Sequence, residues 1–226
     1  MRYVSIDIET TGLDTQNCHV LSIGAVIEDT NNLLPIDELP SFHAAILTRR
    51  IDGEPYAINL NRDLIQSIVY YQTARDQDEK NDLVQMTGMR FLEKDKIVEE
   101  FYYWLAQNGF VDLNEPASGG YVTMRDGQMI PAITSKTKPV HISAAGKNFA
   151  TFDLKFLENL PRWQQLIKVR QRILDPSVLY VDWFDDDSLP SLGKCKERAG
   201  FPGDVAHDAL EDCKDVVKLF RAKYKS

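Results

Sequence analysis

The chain has 226 residues, 43% of them hydrophobic, with ten phenylalanines, nine tyrosines and three tryptophans. That is enough apolar material for a sizeable core, and it excludes a disordered polymer. The formal net charge of −8 argues against a broad surface that coats nucleic acid through its phosphates, although metal ions in a cleft would add positive charge that a residue count omits.

No apolar run approaches the roughly 18–20 residues of a membrane span. The first residues lack a signal peptide's basic start and long apolar stretch, because Asp7 and Glu9 interrupt them. The cysteines are Cys18, Cys195 and Cys213, an odd number without paired spacing. The expectation is reduced thiols, a cytoplasmic location and no membrane partner.

In chain order, residues 2–8 (RYVSIDI) read as a strand with Val4, Ile6 and Ile8 on one face. Residues 19–28 and 41–48 read as two more strands, with a turn at Asn31–Asn32 between them. Helical spacing follows over 60–71, with Leu64, Ile65 and Ile68 aligned, and over 93–107, with Ile97, Phe101, Trp104 and Leu105 aligned. The charged stretch between them, near 72–92, reads as a surface insertion. So does 113–138, where Asp126-Gly127 between two β-prone runs signals a hairpin. Residues 138–146 then read as a strand, 149–160 as a helix, 172–175 (RILD) as a short strand, 190–199 as a helix and 208–223 as a closing helix. Strands first and mixed elements later predict one α/β domain over 1–226. The acidic run Asp185-Asp186-Asp187 reads as a solvated loop, not a calcium site.

Three short motifs carry chemistry. Asp7 and Glu9, two apart on a strand, share the face opposite Ile6 and Ile8. Two like charges so close repel, and a divalent cation between them reverses the cost. In HDALED (207–212), Asp208 with Glu211 three residues later predicts a helix N-cap. That places His207 just outside the helix and Asp212 one turn inside it, the two positions that meet in a hydrophobic staple. Asp212 would also lie near the positive end of the helix dipole. In NFATFD (148–153), Asp153 falls early in a helix among Phe149, Phe152 and Phe156.

Taken in order, DIETTGL, NFATFD and HDALED resemble the three motifs of the DEDDh 3′→5′ exonucleases, the family that includes proofreading subunits, oligoribonuclease and ribonuclease T. The stretch 53–68 (GEPYAINLNRDLIQSI) also resembles the link after the third strand in proofreading-type members. The resemblance implies an α/β, ribonuclease H-like fold: a mixed five-stranded sheet, an antiparallel meander followed by two strands parallel to the first, with helices on both faces. It implies two divalent cations, Mg²⁺ or Mn²⁺, on Asp7, Glu9, Asp153 and Asp212, with Asp7 bridging. His207 would accept the proton of the attacking water, its ordinary pKa of about 6.5 suiting work near pH 7. Thr10, Thr11 and Gly12 would hold the terminal nucleotide, Leu13 would wedge beside the last base, and Asn148 would lie near the substrate. Lys147, where relatives often carry His or a hydroxyl residue, departs from the pattern.

The implied activity is metal-dependent hydrolysis from the 3′ end of single-stranded nucleic acid, releasing nucleoside 5′-monophosphates, with DNA ahead of RNA. An exoribonuclease, and a non-catalytic nucleic-acid-binding module on the same fold, are the alternatives. Association with a polymerase and homodimer formation both stay open at this point.

Overall fold

A computed structural model of the chain describes residues 1–111, 122–125, 128–202 and 205–224. Its elements in chain order are β1 (Arg2–Thr10), β2 (Val20–Asp29), β3 (Ser41–Leu47), α1 (Pro55–Leu60), α2 (Arg62–Thr73), α3 (Gln77–Thr87), β4 (Arg90–Glu93) and α4 (Ile97–Gln107). There follow β5 (Val122–Arg125), β6 (Gln128–Pro131), β7 (Val140–Ile142), β8 (Ala144–Ala145), α5 (Asp153–Glu158), α6 (Trp163–Leu166), β9 (Ile167–Val169), α7 (Leu192–Ala199) and α8 (Ala209–Tyr224).

Alternation along β1 sets the layout. Val4, Ile6 and Ile8 enter one core with Ile23, Phe42, Phe101, Trp104 and Trp163, so α4 and α6 cover that face. Tyr3, from the other register, packs with Val26 and with Val216, Val217 and Leu219 of α8. On this second face Ile68 of α2, Leu83 of α3 and Phe91 of β4 form a third cluster with Leu21 and Ala45. The period of two thus gives the sheet two apolar faces, each needing helices to bury it.

The main sheet has five strands in the order β4-β3-β2-β1-β8. β1, β2 and β3 form an antiparallel meander, and β4 and β8 run parallel to β3 and β1. Both therefore run parallel to the first strand, on opposite edges. The RILD segment contributes only one bridge, Leu174 to Ala145. The second parallel strand is instead Arg90–Glu93, inside a stretch read from sequence as insertion. Four residues after a glycine give too short a pattern to stand out beside the charged run before it. That charged run is itself helical: Asp76 caps α3 by accepting from the N–H groups of Asp78 and Glu79.

The expected hairpin is present as β5 paired antiparallel with β6. Its Asp126-Gly127 turn and residues 112–121 lie outside the described residues. No described helix is long and apolar enough to cross a membrane, and all three cysteines are free and buried.

Candidate active site

Sheet register builds the centre of the site. Asp7 on β1 stands opposite Gly24 on β2, and Gly24 stands opposite His43 on β3. The N-terminus of α8 rests on Gly24. A Cβ there would lie 2.2 Å from the Ala209 carbonyl carbon and 2.4 Å from Leu210 N. Only glycine admits this contact, and the contact fixes α8 against the sheet beside Asp7.

The cap then sets the register of the helix. Asp208 Oδ1 accepts from Leu210 N at 3.0 Å and from Glu211 N at 3.1 Å, as expected of an N-cap. Asp212 follows one turn later and points back to the strand. Asp7, Glu9 and Asp212 each offer an oxygen, all within 4.8 Å of one another.

Asp153, at the start of α5, joins from the side. β8 is only two residues long, so the N–H of Ile8 lies beyond its end. Asp153 Oδ1 accepts that N–H at 3.2 Å. Its carboxylate thereby neighbours Asp7 without entering the three-oxygen cluster.

Four carboxylates this close resist ionisation. Burial, then the charge of Asp212, lifts Glu9 to about 7, against the pull of a hydrogen bond from Asn61. Burial lifts Asp153 to about 7 despite its backbone hydrogen bonds. Burial, then Asp215, lifts Asp212 to about 7, while Lys196 opposes. Asp7 is raised well above the carboxylate range by burial and by Asp153, Asp212 and Glu9 in turn. Asp212 Oδ1 is fully buried without a hydrogen-bond partner. An orphaned carboxylate oxygen within a cluster of hard oxygen donors is what a divalent cation such as Mg²⁺ or Mn²⁺ would satisfy, so the residues present fit such an ion.

The other expected residues take varied places. His207 is exposed, has a left-handed backbone (φ 50°) and forms no hydrogen bond among the described residues. It does not meet Asp212 in a staple; the N–H of Ala206, one residue earlier, bonds Asp212 instead. His207 does line one cavity of about 460 Å³ with Glu9, Ser22, Asn61 and Asp208. Thr10 and Thr11 are buried, and their side chains serve the loop: Thr10 Oγ1 donates to the Gly12 carbonyl, and Thr11 Oγ1 accepts from His19 N. Leu13 is 72% exposed, its N–H gripped by Glu54 Oε1 at 2.8 Å. Asn148 is exposed on a left-handed backbone (φ 59°), with its N–H on Asp175 and its Oδ1 taken by Lys147 Nζ.

Sequence reasoning missed three contributors. Asn61 is 4% exposed and ties α2 to the site through Nδ2 to the Thr10 carbonyl at 3.1 Å and through its bond to Glu9. Its signal lay in the GEPYAINLN stretch, where a polar residue interrupts a helical pattern. His43 lies 3.8 Å from Asp208 Oδ2, its imidazole pushed down by burial. Glu54 braces the loop after β1 from both ends, its N–H also donating to the Thr11 carbonyl at 2.7 Å. Glu54 lies in the same GEPYAINLN stretch, whereas His43 belongs to no local pattern that marks it.

No family model and no curated protein matches the sequence. Solved structures do match. The zinc-bound form of an E. coli exonuclease I complex with single-stranded DNA aligns at TM-score 0.53 and 15% identity, over 99% of this chain and 40% of that one. E. coli exonuclease I with a dA16 oligonucleotide aligns at TM-score 0.53 and 13% identity, over 99% and 41%. A moderately thermophilic exonuclease I from Methylocaldum szegediense aligns at TM-score 0.52 and 15% identity, over 100% and 41%. The chain thus spans about two fifths of the length of each. At this identity the likeness establishes the fold, which is α/β and ribonuclease H-like.

Proposed function

We propose that this chain is a DEDDh-type 3′→5′ exonuclease that hydrolyses single-stranded DNA from its 3′ end and releases nucleoside 5′-monophosphates. The observation that carries the reading is the cluster of Asp7, Glu9 and Asp212, with the orphaned Asp212 oxygen and Asp153 alongside. Nothing in the fold needs four carboxylates there; they cost stability unless a cation is held. Asp7, Glu9 and Asp212 would hold two divalent ions, with Asp153 completing the set. Bound there, the pair supplies an acidified water and neutralises charge on the phosphate.

The chain's own groups do the rest. His207, at the open rim of the cavity that Glu9 also lines, accepts the proton of the attacking water at an imidazole nitrogen. Thr10, Thr11 and Gly12 present a loop fixed by its own hydrogen bonds to the terminal nucleotide. Leu13 projects from it as an apolar wedge beside the last base, and Asn148 contacts the strand from the α5 side. The DNA preference draws support from the single-stranded DNA bound in the similar exonuclease I structures. The intact carboxylate set weighs against a module that only binds.

Two oligonucleotides of one sequence, DNA and RNA, each labelled at the 5′ end, test this. Wild type and Asp7→Ala would be compared in Mg²⁺, Mn²⁺ and EDTA. A metal-dependent ladder, faster on DNA and absent in Asp7→Ala, is expected. A faster RNA ladder transfers the reading to an exoribonuclease. Binding without shortening under every condition overturns the enzyme.

A further inference from the structure

The segment between a 3₁₀ turn at Pro176–Leu179 and α7 displays the most exposed aromatic pair among the described residues. Phe184 is 98% exposed and Trp183 78%. Val178 and Leu179 in the 3₁₀ turn and Leu189 beyond the aromatics are also exposed. Single apolar side chains in water are ordinary, but two adjacent aromatics with three aliphatic neighbours in sequence are not.

The turn is braced. Asp182 N donates to Asp186 Oδ2 at 2.9 Å, Asp186 N to the Asp182 carbonyl at 3.0 Å, and Phe184 N to Asp182 Oδ1 at 3.0 Å. Arg198 of α7 then forks onto the base of the turn. Its Nη2 donates to Asp186 Oδ1 at 2.7 Å and its Nη1 to the Tyr180 carbonyl at 2.7 Å. The aromatic tip is therefore fixed in water by polar bonds below it, and its rings serve no core. Asp186 is neutralised by Arg198; Asp185 and Asp187 are exposed and form no ion pair among the described residues. The acidic run is thus a working part of the turn at Asp186 and an unneutralised rim at its two neighbours.

We propose that this braced turn is a docking surface for a protein segment that presents apolar side chains flanked by lysine or arginine. Trp and Phe supply large rigid contact area, and the fixed backbone spares the ordering cost of binding. The rim selects the partner by charge. Asp185 and Asp187 would meet basic groups favourably but repel the phosphates of a nucleic acid or an anionic bilayer. A symmetric dimer through this patch would set each rim against its own copy. The inference is independent of the exonuclease reading.

Tryptophan emission reads the surface directly, because Trp104 and Trp163 are buried and Trp183 is the exposed member. The whole chain would be titrated with a soluble peptide of alternating leucine and lysine. Its counterpart with glutamate for lysine, a single-stranded oligothymidine and phosphatidylserine vesicles would serve as separate probes. The expected result is a blue shift on the Leu–Lys peptide alone. Affinity should fall roughly tenfold or more in Phe184→Ser. It should fall several-fold, with a flatter salt dependence, in Asp185→Asn/Asp187→Asn. An unshifted melting temperature in Phe184→Ser would show that the variant folds. Equal affinity in Phe184→Ser, a preference for the glutamate peptide, the oligonucleotide or the vesicles, or a dimer that Phe184→Ser dissolves would each overturn the proposal.

Discussion

The two ends of α8 handle buried charge in opposite ways. At the C-terminal end, Glu28 of β2 is fully buried, and Arg221 answers it with Nε at 2.8 Å and Nη2 at 2.6 Å, its Nη1 going to the Leu34 carbonyl at 2.7 Å. At the N-terminal end, Asp212 meets two further carboxylates, Asp7 and Glu9, with Lys196 as an opposing charge nearby. One oxygen of Glu28 also lacks a hydrogen-bond partner, but its carboxylate is neutralised through the other; Asp212 has the N–H of Ala206 and the opposing charge of Lys196, and these still leave it raised to about 7. Between the two ends Asp215 is paired with Lys196 at 2.5 Å and Lys218 at 2.8 Å. The same helix on the same strands can therefore match charge where only folding requires it. The end left with mutually repelling carboxylates is where the proposed divalent ion would act.

Breaking the unmatched end should have the largest effect. Asp7→Asn is expected to reduce DNA shortening by about 10³-fold or more, the loss that follows when metal-assisted charge stabilisation is removed. In EDTA at pH 8 the same variant should melt higher than wild type, because a repelling charge is gone; a lower melting temperature would place Asp7 in a structural role. His207→Ala should slow turnover by roughly 10²–10⁴-fold while the metal-induced rise in melting temperature persists. Unchanged turnover near pH 7 would remove His207 from proton transfer.

The matched end should respond in stability instead. Arg221→Met leaves Glu28 buried and unpaired, which costs about 3–5 kcal/mol, or roughly 10 °C in melting temperature. Adding Glu28→Gln should restore most of it. If the double variant is as unstable as the single one, the pair is not what holds this end.

Smaller effects sharpen the contrast. Glu9, Asp153 and Asp212 are each raised to about 7. A raised carboxylate is held protonated more readily in the folded chain than in the unfolded one. Its stabilising contribution is complete below the unfolded values near 4 and is lost as pH rises through about 7. In EDTA the melting temperature should fall across that window, and Mn²⁺ should raise it more at pH 8 than at pH 5. An equal rise at both values would mean that the ion binds elsewhere. Last, Asn61→Ala should lower activity by about 10-fold through Glu9 and the Thr10 carbonyl, with a stability loss of about 1–3 kcal/mol from the buried hydrogen bond left unmade, smaller than that of Arg221→Met and read from EDTA melting curves at pH 5.

Much of this contrast is legible in the sequence, for a local reason. Period two along residues 2–8 puts Asp7 and Glu9 on the face away from Val4, Ile6 and Ile8, and the structure keeps that division. The Asp208 cap and the position of Asp212 follow from helix-terminus chemistry within four residues. The three antiparallel strands and the main helices follow from periodicity as well. Less legible are Arg90–Glu93, too short for a pattern, and Asn61 and Glu54, whose partners are far from them in sequence. His207 marks the limit of even a local rule. The staple positions place it beside Asp212, but the left-handed backbone leaves it exposed and gives Ala206 that contact.

Which way each carboxylate points relative to its own strand or helix follows from local residue order, because that direction depends only on the backbone period. Tertiary structure decided which carboxylates meet. Asp7 and Asp212 come from opposite ends of the chain, and they converge because α8 can lie on Gly24, directly across the sheet from Asp7. A close backbone contact is a property of two distant segments together, and neither segment carries it alone.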